Sequence, residues 1–353
     1  MKRLILATTL ALAAAAAAPA FAQAPPPPAG PPPTGLVVGS GNFFSPIVGD
    51  LDAALAFYRD GLGLDVQGAP ANADTNPALR NMFGLPDAQL RWSIGRPAGM
   101  RTGVEIVEIS KAAGTRLERR IQDPGAFTLI AFVRDLDAVF ARLTKLGTPV
   151  VTAGGAPIKM SLGAQGSGRA VIVKDPAGHF VELLQPDRAP EGQPTGSDVT
   201  AVRVRLAVDD LDKAVKLYRD ALGLRARTVG EFHKDAPALE MMGLKKDAQF
   251  RFAITEVPTT GLILEFIEFK GVDRRTVRGN IQDPGSTRMQ IQVRDVDAAI
   301  AVLKSAGGAV VSTGGTTVEL PGRGGATTKV AIVREPNNLF LVLLQTAAPQ
   351  RTP

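Results

Sequence analysis

Hydrophobic and polar positions in this chain repeat a single arrangement: a short apolar strand, an aspartate, then an amphipathic helix. In the first copy Phe44, Pro46 and Val48 alternate with Phe43, Ser45 and Ile47, which is the period of a strand. Asp50 follows, and Leu51, Leu55, Tyr58 and Leu62 recur at spacings of four, three and four, one apolar stripe on a helix. Asp50 is placed to cap that helix, since its carboxylate can accept a first-turn N–H and its charge suits the helix dipole. Gly61 and Gly63 supply the left-handed conformation that helix ends favour.

The arrangement returns at Asp135, Asp210 and Asp295, so the four aspartates stand 85, 75 and 85 residues apart. The two halves also match at an offset of 160. Tyr58 pairs with Tyr218, Glu105 with Glu265, and Ile121-Gln122-Asp123-Pro124-Gly125 with Ile281-Gln282-Asp283-Pro284-Gly285. This is a duplication of an already duplicated unit, each unit reading strand, helix, then three shorter strands. In the first unit Gln89–Ile94 and Val104–Ile109 are two of those strands. A lone unit cannot bury its apolar sheet face, so the four copies are expected to pair into two curved sheets, each around a cup. The residues do not fix which units pair.

Composition then sets the boundaries. Lys2-Arg3, an Ala-rich apolar run to about Ala18 and Ala20-Phe21-Ala22 form the pattern of a secretory signal peptide, 1–22. That run is too short to span a bilayer comfortably, so no membrane anchor is expected after cleavage. Residues 23–35 read as a Pro-rich disordered tether, 36–186 and 198–346 as two domains, 187–197 as a linker and 347–353 as a tail. The chain has no cysteine, which excludes disulfides, thiolate ligands and lipidation at cysteine. A periplasmic or secreted protein is expected. The net charge of +6 falls to +4 without Lys2 and Arg3 and includes no basic run, which argues against nucleic acid as a partner.

Val-x-Asp-Leu-Asp, then Phe/Leu-Tyr-Arg-Asp-x-Leu-Gly, then Asp-Pro-x-Gly-x-x-x-Glu-Leu together resemble the vicinal oxygen chelate superfamily. Its members include glyoxalase I, extradiol dioxygenases and the bleomycin- and fosfomycin-resistance proteins. The resemblance runs from Leu36 to Gln345. It implies an α+β fold of four βαβββ modules paired into two tandem glyoxalase-like domains, each a curved mixed sheet around a cup. It also implies metal ligands on the first and last strands of each module, commonly His and Glu. Those positions hold Phe43, Thr128, Arg203 and Arg288 on first strands, and Glu105, Glu182, Glu265 and Val342 on last strands. None is histidine, and an arginine is an obligate cation that repels a divalent metal. A degenerate site with no metal and no cofactor is expected, and an extradiol dioxygenase is argued against.

Counted half by half, the first cup would be lined by Phe43, Ser45, Ile47, Thr128, Ile130 and Phe132. The second would be lined by Arg203, Arg205, Ala207, Arg288, Gln290 and Gln292, with Glu265 nearby. Glu105 and Glu182 would then face each other across the first cup, able to share a proton as a catalytic acid–base pair. In the second cup arginines and glutamines could clasp an anionic small molecule, or form an internal ion-pair network on Glu265. Three functions follow: a metal-free small-molecule-binding protein, a glyoxalase-like lyase or isomerase using Glu105 and Glu182, or a structural module with vestigial cups. His179 and His233 read as solvated turn histidines, and oligomeric state is not legible.

Overall fold

The computed structural model describes residues 35–346 except 67, 71, 164–165, 189–195 and 322–326. The leader, the tether up to 34, most of the linker, the Gly322–Gly325 stretch and the tail lie outside the described residues. The first module comprises β1 (Val37–Ser40), β2 (Ser45–Val48), α1 (Leu51–Leu55), β3 (Asp65–Val66), α2 (Pro77–Phe83), β4 (Gln89–Arg96) and β5 (Val104–Ser110). The second holds β6 (Phe127–Val133), α3 (Leu136–Lys145), β7 (Ile158–Ser161), β8 (Ser167–Lys174) and β9 (Phe180–Pro186). The third holds β10 (Val199–Ala207), α4 (Leu211–Lys216), β11 (Arg227–His233), α5 (Ala236–Met241), β12 (Gln249–Val257) and β13 (Leu262–Lys270). The fourth holds β14 (Thr287–Val293), α6 (Val296–Ser305), β15 (Ala309–Val310), β16 (Val318–Pro321), β17 (Thr327–Arg334) and β18 (Phe340–Thr346).

The four aspartates act as expected. Asp50, Asp135, Asp210 and Asp295 each accept the N–H three residues on, from Ala53, Ala138, Lys213 and Ala298, all at 3.0 Å. A second free N–H at each helix start goes to a side chain of the module's last strand: Leu51 to Glu108, Leu136 to Gln185, Leu211 to Glu268 and Val296 to Gln345. Arg91 and Arg251 bridge Glu108 and Glu268 to Asp52 and Asp212, so they clamp helix starts rather than line a cup. The stripe Leu51, Leu55, Tyr58 and Leu62 is buried. Gly61 is helical rather than left-handed. Its need is space, because an added Cβ would lie 2.4 Å from Leu143.

The modules form two sheets, but each sheet takes one module from each half. One has the order β15-β17-β18-β14-β2-β5-β4-β3, joining the fourth module to the first; the other is β11-β12-β13-β10-β6-β9-β8-β7, joining the third to the second. The seams are antiparallel, β14 on β2 and β10 on β6. The two cups, here called outer (modules one and four) and inner (two and three), are therefore shared between halves, and lining sets counted half by half mix the two. The repeated Asp-Pro-Gly loops reinforce this exchange. Asp123 accepts from Arg275 N at 3.0 Å and Asp283 from Thr115 N at 2.9 Å, a reciprocal grip of each half on the other.

Helices and the backs of both sheets share one large apolar core, and each cup has its own smaller apolar cluster. Phe43 belongs to the large core and not to a cup cluster. The register explains why. Ser45 faces Arg288 and Ser40 faces Ile291, five steps along one strand against three along the other, so a bulge interrupts the strand around residues 41–44. Gly41 then lies against Gln290, where a Cβ would come within 2.3 Å of Oε1.

Candidate ligand-binding site

The outer cup is built on the seam between β14 and β2. Arg288 and Gln290 alternate onto one face of β14, Ser45 lies opposite Arg288, and Glu105 comes from β5. Arg288 Nη2 donates to Glu105 Oε2 at 2.9 Å, and Gln290 Nε2 donates to the same oxygen at 3.0 Å. Ser45 Oγ adds a longer contact at 3.4 Å, and Gln290 Oε1 accepts from Asn42 N at 3.0 Å. Arg288 is 1% exposed and its guanidinium lies 4.8 Å from the centre of the Phe83 ring. Burial pulls its pKa below the usual arginine value, against the opposing charge of Glu105. Its Nε has no hydrogen-bond partner among the described residues.

Over this polar floor stands a cavity of about 230 Å³ with apolar walls. Leu79, Met82 and Phe83 of α2 close one side, Val107 and Val342 flank the floor, and Trp92 stands at the mouth, 40% exposed. A second space of about 400 Å³ adjoins it and shares Leu90 and Trp92 as walls.

The inner cup is also polar at its floor. Arg205 Nη1 donates to Glu182 Oε2 at 2.7 Å and Arg205 Nε to Glu265 Oε2 at 2.9 Å, while Arg203 approaches Glu265 at 3.6 Å and covers the Phe132 ring at 5.0 Å. Thr128 faces Arg205 across the seam. Burial raises Glu182 above the ordinary carboxylate range; Arg205 works against that, and Glu265 adds to it. Burial likewise works against the Arg205 cation, but the two carboxylates outweigh it and hold its pKa above the usual value. At the 160 offset, Leu90, Val107 and Ile109 of the outer cup become Phe250, Ile267 and Phe269 here. These larger side chains join the inner cup's apolar cluster.

Several sequence expectations change. Glu105 and Glu182 stand on different sheets, each on its own arginine, so they do not form a facing pair. Arg288 meets Glu105 rather than Glu265, and Thr128 and Phe132 line the inner cup beside Arg203, Arg205 and Glu265. The division into an apolar first cup and an anion-binding second one therefore dissolves, because each cup carries an internal arginine–carboxylate network. Trp92 and helix α2 were missed by sequence reasoning. Asn76-Pro77, a cap followed by proline at the first helical position, was the available signal, and Asn76 does cap that helix.

His179 is buried, not solvated. Its Nδ1 lies 3.0 Å from Asp175 and its Nε2 3.0 Å from the Ser286 carbonyl, while Tyr58 donates to Asp175 at 3.0 Å. Burial would raise Asp175, yet His179 and Tyr58 hold its pKa below the ordinary value. In the second half the same place holds Glu335 beneath Tyr218, with Leu339 where the first half has His179, and burial pushes Glu335 up to about 7.

At the positions that metal ligands would take, the donor chemistry does not suit a divalent ion. The outer cup offers one carboxylate already bound to a buried guanidinium, with Val342 opposite, and the inner cup holds a guanidinium between its two carboxylates. Among the described residues no three His, Cys, Asp or Glu side chains cluster as a metal site.

The family model "Glyoxalase/Bleomycin resistance protein/Dioxygenase superfamily" matches residues 42–183 and again 200–342. Among solved structures, glyoxalase I from Zea mays is 20% identical with a TM-score of 0.55, covering 86% of this chain and 92% of its own. A Bacillus subtilis protein named as a dioxygenase candidate is 15% identical with a TM-score of 0.52, covering 89% of this chain and 86% of its own. At these identities the likeness speaks for the fold. None of the curated proteins compared with the chain matches it. Two matches that span most of the chain, on a fold of four paired βαβββ modules, place this protein in the glyoxalase/bleomycin resistance/dioxygenase superfamily.

Proposed function

We propose that this chain is an exported, metal-free small-molecule-binding member of the superfamily and that its ligand site is the outer cup. One observation carries the reading. The outer cup holds a cavity of about 230 Å³ with apolar walls over Arg288, Glu105 and Gln290. A concave apolar space with a few convergent polar groups is the usual form of a ligand site, and this one suits a small ligand. Guanidinium groups at the former ligand positions support the metal-free part. The Ala20-Phe21-Ala22 leader supports export, and among the described residues no helix is long and apolar enough to cross a membrane.

The acid–base alternative needs Glu105 and Glu182 in one cup, and it loses that premise. A combined assay tests the binding reading: elemental analysis of the purified protein, with a thermal-shift screen of small molecules in the presence and absence of a chelator. Stabilisation by a compound that is unaffected by chelator and recovered unchanged is expected. A stoichiometric transition metal, or chemical conversion of the stabilising compound, would overturn the reading.

A further inference from the structure

The outer cup also constrains what it can hold, given that it binds a small molecule as proposed above. Among the described residues that line it, the cation Arg288 is paired with the carboxylate Glu105 at 2.9 Å, so their charges balance. An anionic ligand would set a second negative charge beside Glu105 with one guanidinium to share between them. A cationic one would set a second positive charge beside Arg288 with one carboxylate to share. Both leave one charge in excess away from water. The charge balance thus removes the case for the anionic ligand that the arginines suggest from sequence alone.

An uncharged group finds both halves of a hydrogen bond unfilled. Arg288 Nε is buried without a partner, a donor that costs stability until an acceptor reaches it. Glu105 concentrates its contacts with Arg288, Gln290 and Ser45 on Oε2, and its side chain keeps 16% exposure toward the cavity it lines. A carboxylate has about four acceptor sites, so it can still accept from a ligand. One group that both accepts and donates, a hydroxyl, satisfies both. The walls ask for something else: Leu79, Met82, Phe83, Val107 and Val342 offer only apolar contact. We propose that the outer cup takes a small uncharged alcohol, an apolar body with one hydroxyl seated between Arg288 Nε and Glu105.

Three probes of similar shape test this: cyclohexanol, chlorocyclohexane and cyclohexanecarboxylate, titrated against the full chain by Trp92 emission and by melting shift. A hydrogen bond to a charged group corresponds to about ten- to a hundredfold in affinity. Cyclohexanol should therefore bind at least about tenfold more tightly than either comparator. In Glu105→Gln, checked for folding by its melting curve, Arg288 loses its counter-charge, and the order should reverse so that the carboxylate binds best. If that variant does not fold, the wild-type ranking alone decides. Equal or tighter binding of chlorocyclohexane or the carboxylate to wild type would overturn the alcohol while leaving the cavity as a binding site. A protein that responds to none of the three loses both this inference and the binding reading beneath it.

Discussion

Replacing Arg205 by alanine should separate the two cups, because the inner one is held by a charge and the outer one is proposed to bind. The Arg205 side chain is 9% exposed and donates to Glu182 and Glu265, themselves 4% and 10% exposed. Arg205→Ala leaves two nearly buried carboxylates that share at most the distant Arg203. Breaking a buried ion pair from one side costs about 3–5 kcal/mol. With roughly 2–4 °C per kcal/mol for a large domain, the melting temperature should fall by at least roughly 6 °C. The loss should also depend on pH. Burial already raises the folded-state pKa of Glu182 and Arg205 opposes it, so without the cation the stability tied to Glu182 is kept below its ordinary range and lost as pH rises through the raised value. Chemical denaturation at pH 5 and pH 8 should show the larger deficit at pH 8. Substituting all three groups at once (Arg205→Met, Glu182→Leu, Glu265→Leu) should restore stability, since an apolar replacement of a buried triad is often neutral or better. A single variant that loses under about 1 kcal/mol, equally at both pH values, would refute this account of the inner cup.

Two further outcomes are expected. Glu335 is buried with its pKa raised to about 7 from an ordinary 4.5, so the folded state keeps a proton that the unfolded chain releases. Its contribution is fully present below pH 4.5 and is lost by pH 7, a fall of about 3 kcal/mol; Glu335→Gln should flatten that slope in urea unfolding across the same window, and an unchanged slope would contradict the assignment. Export predicts cleavage after Ala22, so intact mass of protein from the native cell envelope should begin at Gln23, and a chain still starting at Met1 would contradict it.

Much of the fold could be read because its determinants are local. The 85-75-85 spacing of Asp50, Asp135, Asp210 and Asp295 is also the spacing of four helix caps, and each cap needs only its own next three residues. Module pairing could not be read. Alternation along β2 or β6 says which face is apolar, but all four first strands offer a similar edge, and nothing local chooses between β14 and β6 as the partner of β2. The candidate site suffered twice from this. Glu105 and Glu182 were set in one cup when long-range pairing gives each a different arginine. Phe43 was counted onto a cup by regular alternation, which the bulge before Ser45 breaks. His179 shows a related limit: a polar residue in an Asp-Pro-Ala-Gly turn reads as solvated, and only the tertiary approach of Tyr58 and Ser286 buries it.

Trp92 is the chain's single tryptophan and forms a wall of the outer cavity and of the space beside it, so its emission reports on that side of the molecule and not on the inner cup. The most direct measurement is a titration of Trp92 fluorescence with any compound found to raise the melting temperature, compared with its calorimetric isotherm. A saturable emission change with the same midpoint, retained in Arg205→Ala under conditions where that variant is folded, is the predicted result. A compound that saturates the protein by calorimetry while Trp92 emission stays unchanged would contradict the placement of the site in the outer cup.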